Sequence, residues 1–113
     1  MKGAWGERAA RLYLEGRGLC TVTVNFRTRF GEIDIIAENV QYLIFAEVKT
    51  RKNARFGAAR EAVTPGKQAK LITAAEEWLQ THPTDKQPRF DVIEVYGEEG
   101  APVPQRINHL ENA

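Results

Sequence analysis

The chain has 113 residues, sixteen bases against fifteen acids, and a formal net charge of +1, with 42% hydrophobic residues to fill a core. That length suits one domain: a chain of this size buries roughly two-thirds of the surface its unfolded form exposes, so it needs no disulfide frame or structural metal. The near-zero net charge by itself argues neither for nor against a nucleic-acid partner, and one cysteine, Cys20, excludes an internal disulfide. Cys20 fits a reducing cytoplasm and is expected to pack as a small apolar residue. The opening MKGAWGERAARLYLEG has scattered charges instead of the apolar centre of a signal peptide. No apolar run approaches the ~20 residues of a membrane span. The expectation is a cytoplasmic protein with no membrane partner.

Residues 4–17 read as a helix. Trp5, Ala9, Ala10, Leu12, Tyr13 and Leu14 share one broad apolar face, Arg8, Arg11 and Glu15 the other, and Glu7 falls at the border. Gly16 and Gly18 end it. CTVTVNF, residues 20–26, alternates apolar and polar as a half-buried strand does. Residues 27–31 make a turn in which Gly31 takes a conformation that bulkier residues resist, with Asn25 and Arg27 close by to bind backbone groups or phosphate. Strands follow at 32–37 and 42–49, reversing at 38–41, and three sequential strands with short links predict an antiparallel meander.

Beyond Lys49 the pattern gives way to TRKNARFGAAREAV, a basic, glycine-containing loop. Thr64 and Pro65 form a helix start, a capping hydroxyl followed by proline at the first position. Leu71, Ile72, Ala75, Trp78 and Leu79 recur at helical spacing, and His82 and Pro83 close the helix. FDVIEVY, residues 90–96, is a fourth strand, and the Gly- and Pro-rich tail beyond it offers at most a short fifth near 106–109. His82 and His109 read as loop residues, Trp5 and Trp78 as core. The fold class expected is α/β, a mixed sheet of four or five strands flanked by helices, in one domain.

GEIDIIAENVQYLIFAEVK holds the chemistry. Side chains on a strand alternate faces, so Glu32 shares a face with Asp34, and Glu47 with Lys49. Taken singly, these charges are solvated strand ends, and a Glu47–Lys49 surface pair is worth about 0–1 kcal/mol. Ile33, Ile35 and Ile36 surround Asp34, however, and Phe45, Ala46 and Val48 surround Glu47. Anions tied to apolar strands are unfavourable unless a cation compensates. Phosphodiester hydrolysis with Mg²⁺ rewards such a set, because the hard ion takes oxygen ligands and keeps places for water and phosphate. Asp34, Glu47 and the Val48 carbonyl supply candidate ligands, and Lys49 a group to orient water or hold a phosphate oxygen.

Asp34 followed by Glu47-Val48-Lys49 resembles the D…(D/E)-x-K signature of the PD-(D/E)XK nuclease superfamily. The wider string is more specific: GEIDIIA, FAEVKTR, Phe56-Gly57, the lysine opening the second helix and RFDVI together look like the bacterial YraN family over nearly the whole chain. This resemblance implies a restriction-endonuclease-like fold and kinship with archaeal Holliday-junction resolvases. It implies Asp34 and Glu47 as metal ligands, Lys49 as the catalytic lysine and Glu7 as the first-helix glutamate beside the metal. Ile33 stands where the motif's proline would be, and Glu32 is an alternative or additional ligand to Asp34. The function implied is Mg²⁺- or Mn²⁺-dependent cleavage of DNA, branched or otherwise structured. A homodimer would follow the related resolvases.

From Lys49 to Lys70 seven bases face one acid, Glu61. A charge run is usually a solvated face. Here it begins where the acidic motif ends, so Arg27, Arg51, Lys52, Arg55, Lys67 and Lys70 are candidate phosphate contacts for a DNA partner. Asp91 reads as a structural carboxylate paired with Arg89 or with the hairpin, a metal role being the alternative. Because a nuclease fold does not guarantee nuclease activity, a catalytically silent nucleic-acid-binding or protein-interaction module is the competing function.

Overall fold

The computed structural model describes residues 4–52 and 65–112. Helix α1, Ala4–Gly16, buries Gly6, Ala10 and Leu14, one residue per turn on the face that meets the sheet. Its end is a paired-bond stop. The Leu19 amide donates to the Leu14 carbonyl (3.1 Å) and the Gly18 amide to Glu15 (3.1 Å). Gly18, at φ +87°, takes the left-handed conformation this stop requires. Leu19 then joins Leu14 in the same core cluster, the apolar contact that accompanies such a stop.

Five strands follow the helix and form one mixed sheet in the order β1-β2-β3-β4-β5. They are β1 (Cys20–Thr28), β2 (Gly31–Glu38), β3 (Tyr42–Arg51), β4 (Gln87–Tyr96) and β5 (Arg106–Leu110), with helix α2 (Pro65–Thr81) between β3 and β4. The first three strands are the predicted antiparallel meander. β4 runs parallel to β3 from Tyr42↔Gln87 to Arg51↔Tyr96, which requires a crossover between them, and β5 returns antiparallel on β4.

The sheet separates two apolar cores. Ile35, Ala37, Ile44, Ala46, Ile93 and Val95 pack with Ala10 and Leu14 of α1. Ile33, Ile36, Leu43 and Phe45 pack with Ala74, Ala75 and Trp78 of α2. β3 lies centrally, and its four residues Leu43, Ile44, Phe45 and Ala46 are nearly or wholly buried. Each full-sized apolar side chain so removed from water stabilises the fold by about 1.5–3 kcal/mol before entropy is counted.

Several details depart from the sequence expectation. Leu12 and Ile72 are 53% and 46% exposed, because each lies on the flank of its helix, beyond the arc that the sheet covers. Cys20 is exposed rather than packed: it opens β1, a sheet edge, and points outward. On the same edge Val22 and Val24 stay substantially exposed. β4 begins at Gln87, earlier than expected, and includes Pro88. Pairing with β5 starts only at Val92, so the missing proline amide leaves no gap on that side. Gly31 begins β2 and is absent from the positive-φ residues. A Cβ there would stand 3.4 Å from Lys70 Cβ and 3.6 Å from the Lys70 carbonyl oxygen, ordinary contact distances, so neither backbone angle nor crowding demands glycine at this position. His109 is a strand residue of β5.

Candidate functional site

The β2–β3 ladder runs from Glu38↔Leu43 to Ile35↔Ala46. Beyond that pair, the Val48 amide donates to Asp34 Oδ2 at 2.8 Å, so a carboxylate takes the place of a backbone acceptor. The strand period changes at the same point: Ile35 packs under α1, while Ile33 packs under α2. On the other side of β2, β1 holds Asn25 at φ +53° between the pairs Val24↔Ile35 and Phe26↔Ile33. A left-handed non-glycine residue within a strand is uncommon, and asparagine is among the residues that tolerate it.

Helix α1 reaches this spot from above. Gly6 lies so close to Thr50 that a Cβ would collide with Thr50 Oγ1, and this seats the next residue, Glu7, against the strand ends. Glu7, Glu32 and Asp34 each bring an oxygen within 4.8 Å of the others. Turned so that its nitrogen faces them, the Asn25 amide donates to Glu7 Oε1 (2.7 Å) and Glu32 Oε1 (3.0 Å); that orientation is assigned from the hydrogen-bond network. Arg27 pairs with Glu32 at 3.3 Å from the exposed side.

The electrostatics follow from this crowding. Burial pushes the Asp34 carboxyl up to about 6; the Val48 amide opposes the shift, and Glu7, Glu32 and Glu47 add to it. Glu7 is also raised, by burial and then by Glu32, with Arg27 pulling the other way. Glu47 stands outside the trio. One of its oxygens lies 2.8 Å from Lys49 Nζ, and Oε2 is buried without a hydrogen-bond partner. A buried, unpartnered carboxylate oxygen next to like charges is unfavourable in an apolar setting. Both observations fit a hard divalent cation held by Asp34 with Glu7, Glu32 or Glu47.

The sequence candidates therefore separate. Glu7, Glu32 and Asp34 come together, Val48 contributes its amide to Asp34, and the Glu47–Lys49 pair lies alongside. Arg27 reaches the site's rim. Arg51, whose Nε is buried without a partner, ends β3 and lines a small cleft of about 280 Å³ with Lys49 and Trp5. Lys52 is exposed just past β3, and Lys70 is exposed on α2 where it meets the β1–β2 turn. Lys67 lies within the bounds of α2, and its side chain is outside the described residues; so are Arg55, Phe56 and Gly57. A cavity of about 840 Å³ between α1 and residues 100–107 has no acidic residue in its lining, so its size does not make it the reactive centre.

Asp91 belongs to a different assembly, at β4. Arg89 donates to both its oxygens (3.0 and 2.9 Å), His109 Nε2 lies 2.6 Å from Oδ2, and the Asn112 amide donates to Oδ1 at 3.0 Å. Tyr13 of α1 meets the other ring nitrogen of His109 at 3.1 Å, and Arg89 also pairs with Glu111 at 3.1 Å. Burial would raise Asp91, but the bonds from His109, Arg89 and Asn112 outweigh it and hold the carboxyl below its ordinary value. The expected Asp91–Arg89 pair is present. Asn25, expected to bind backbone groups or phosphate, instead donates to Glu7 and Glu32, and His109, expected in a loop, is a strand residue that meets Asp91 and Tyr13.

Together these features define an α/β protein of the restriction-endonuclease-like architecture, with carboxylates and a lysine gathered at the point where two central strands part. The chain belongs to the uncharacterised protein family UPF0102, whose model matches residues 6–95; the YraN-like proteins are of this family. It is 41% identical over 112 residues to the UPF0102 protein of Syntrophomonas wolfei, covering 98% of this chain and 95% of the relative. It is 42% identical over 113 residues to that of Clostridioides difficile, covering 99% and 95%. The UPF0102 protein of Nitrosococcus oceani is 45% identical over 102 residues, covering 88% and 82%.

Proposed function

We propose that this protein is a cytoplasmic, Mg²⁺- or Mn²⁺-dependent endonuclease that hydrolyses phosphodiester bonds in branched or otherwise structured DNA. The observation that carries this reading is the packing of Glu7, Glu32 and Asp34 within 4.8 Å of one another. Like charges so close disfavour joint ionisation, and a divalent cation relieves them. When bound, the ion supplies Lewis acidity and a more acidic water.

The chain's own residues do the rest. Asp34 is oriented by the Val48 amide and, with Glu7 and Glu32 or Glu47, holds the ion. Lys49, kept in place by Glu47, brings a positive charge to the phosphate oxygens and orients the attacking water. Arg27, Arg51, Lys52 and Lys70 approach the phosphate backbone, and binding weakens by about 0.9 log unit per log unit of salt for each duplex phosphate neutralised. In a homodimer two such centres would address two strands.

The test is incubation with Mg²⁺ or Mn²⁺ and a panel of linear, single-stranded, flap and four-way DNA. Cleavage of branched members, abolished in Asp34→Ala and Glu47→Ala, is expected. Cleavage that survives both substitutions refutes the site. No cleavage of any member, with binding intact, gives the competing function: a silent nucleic-acid-binding module.

A further inference from the structure

The carboxylate centre repels a phosphate strand until it is neutralised, so the strand must be gripped nearby. The turn between β1 and β2 adjoins the centre, on the strand that carries Glu32 and Asp34. At its tip Phe30 is 44% exposed, with the Arg29 guanidinium over its ring at 5.0 Å from the centroid.

This turn is fixed. Thr28 Oγ1 accepts from the amides of Phe30 (3.0 Å) and Gly31 (3.1 Å) and donates to the Gly31 carbonyl (3.1 Å). The base of the turn, at Gly31, lies beside Lys70 of α2. An aromatic ring is therefore held in water by a turn fixed by its own hydrogen bonds. The other hairpin of the meander makes the comparison: its tip residue Val40 is 96% exposed, aliphatic, and flanked by uncharged Asn39 and Gln41 at the far end of β2. Next to that second tip the Tyr42 ring lies under Arg89 at 4.7 Å, but this guanidinium is already paired with Asp91 and Glu111. The tip beside the centre instead joins its aromatic face to Arg29 and to Arg27, cations of the sign that attracts phosphate.

We infer that the Arg29–Phe30 tip is a stacking platform for an unpaired nucleobase, so the strand enters the centre from a single-stranded stretch or branch point rather than from uninterrupted duplex. Every base offers a π-face to an aromatic ring, and an arginine beside that ring adds a cation–π contribution and a phosphate contact. Phe30 lies four residues from Asp34, about 13 Å along an extended strand, or about four nucleotides at duplex spacing. A base stacked on the tip thus leaves its strand within reach of the carboxylates. The inference rests on the nuclease reading for its substrate and is tested apart from it.

Binding of labelled oligonucleotides to the full chain is measured by anisotropy, with Asp34→Asn as the background so that strands stay intact. Phe30→Ala is expected to weaken single-stranded, flap and four-way DNA by about tenfold or more, as loss of a base–aromatic stack does. Blunt duplex should bind within about twofold of the parent, and the salt slope should be unchanged because no charge is removed. Phe30→Trp should retain binding, whereas Phe30→Leu, apolar but without a π-face, should fall with alanine. Equal losses on duplex and single strand, leucine binding like phenylalanine, or no binding of any strand by the parent each overturn the platform. If Phe30→Ala binds like the parent while metal-dependent cleavage persists in the otherwise native chain, the platform fails and the nuclease reading stands. Selective loss without any cleavage by the native chain upholds the platform and removes the nuclease reading.

Discussion

Asp34 in β2 and Asp91 in β4 are both withdrawn from solvent on strands of one sheet, and their partners differ in sign and number. Asp91 receives two bonds from Arg89, one from His109 and one from the Asn112 amide. Asp34 receives one, from Val48, and is crowded by Glu7, Glu32 and Glu47. The first carboxyl is held below its ordinary value and the second is pushed up to about 6. Asp91 ties α1, β4 and the C-terminal strand together. Asp34 is left short of positive charge, the contrast with Asp91 on which the proposed function rests.

Substitution should split the pair, most visibly at Asp91. Asp91→Asn removes the charge that compensates Arg89, and loss of one partner of a buried pair costs about 3–5 kcal/mol. Urea unfolding at pH 7 should show it. Because the native carboxyl is depressed, its contribution is present above the unfolded value and is lost as pH falls through the native one, so the deficit should shrink in acid.

Asp34→Asn should move the other way. The native carboxyl is raised, so its contribution is fully present below about pH 4 and lost as pH rises through about 6. At pH 7 the ionised native group is therefore a burden, and asparagine, which still accepts from Val48, should stabilise the protein by about 2 kcal/mol after allowance for partial exposure. Matched urea curves at pH 4 and 7 test this; a stabilisation equal at both pH values would remove the electrostatic explanation.

A smaller effect is expected from the ion itself. Mg²⁺ or Mn²⁺ at ten times its dissociation constant should add about 1.4 kcal/mol at pH 7.5 and less at pH 5, where protons compete for the carboxylates. Calorimetric melting should keep this gain in Asp91→Asn and lose it in Asp34→Asn. Smallest of all, Tyr13→Phe removes one hydrogen bond to His109 and should cost about 1 kcal/mol without changing the response to metal.

The two aspartates were also unequally legible. Glu32, Asp34, Glu47 and Lys49 lie in one hairpin, where a period of two places Glu32 beside Asp34 and Glu47 beside Lys49, as the structure has them. Glu7 was reachable only through the family resemblance, since nothing local ties a helix border to a strand end. The Asp91 assembly draws on Tyr13, Arg89, His109 and Asn112, whose proximity depends on the parallel β3–β4 pairing and the return of β5. Asn25 is hidden differently, as a backbone conformation inside a strand of regular pattern. Exposure of Leu12, Ile72 and Cys20 depends on where a helix or sheet stops covering its neighbour, which residue type does not report.

Gly6 makes the contact with Thr50 on which the position of Glu7 depends. A methyl group at position 6 would meet Thr50 Oγ1, so either the threonine turns or the helix lifts. Lifting α1 draws Glu7 away from the oxygens of β2. Mg²⁺ binds oxygens at about 2.0–2.1 Å and Ca²⁺ at about 2.3–2.6 Å. Gly6→Ala should therefore shift calorimetric preference from Mg²⁺ toward Ca²⁺, and unchanged relative affinities would rule this out. A residue with no side chain and no contact with the ion would then act as the gauge of ionic radius.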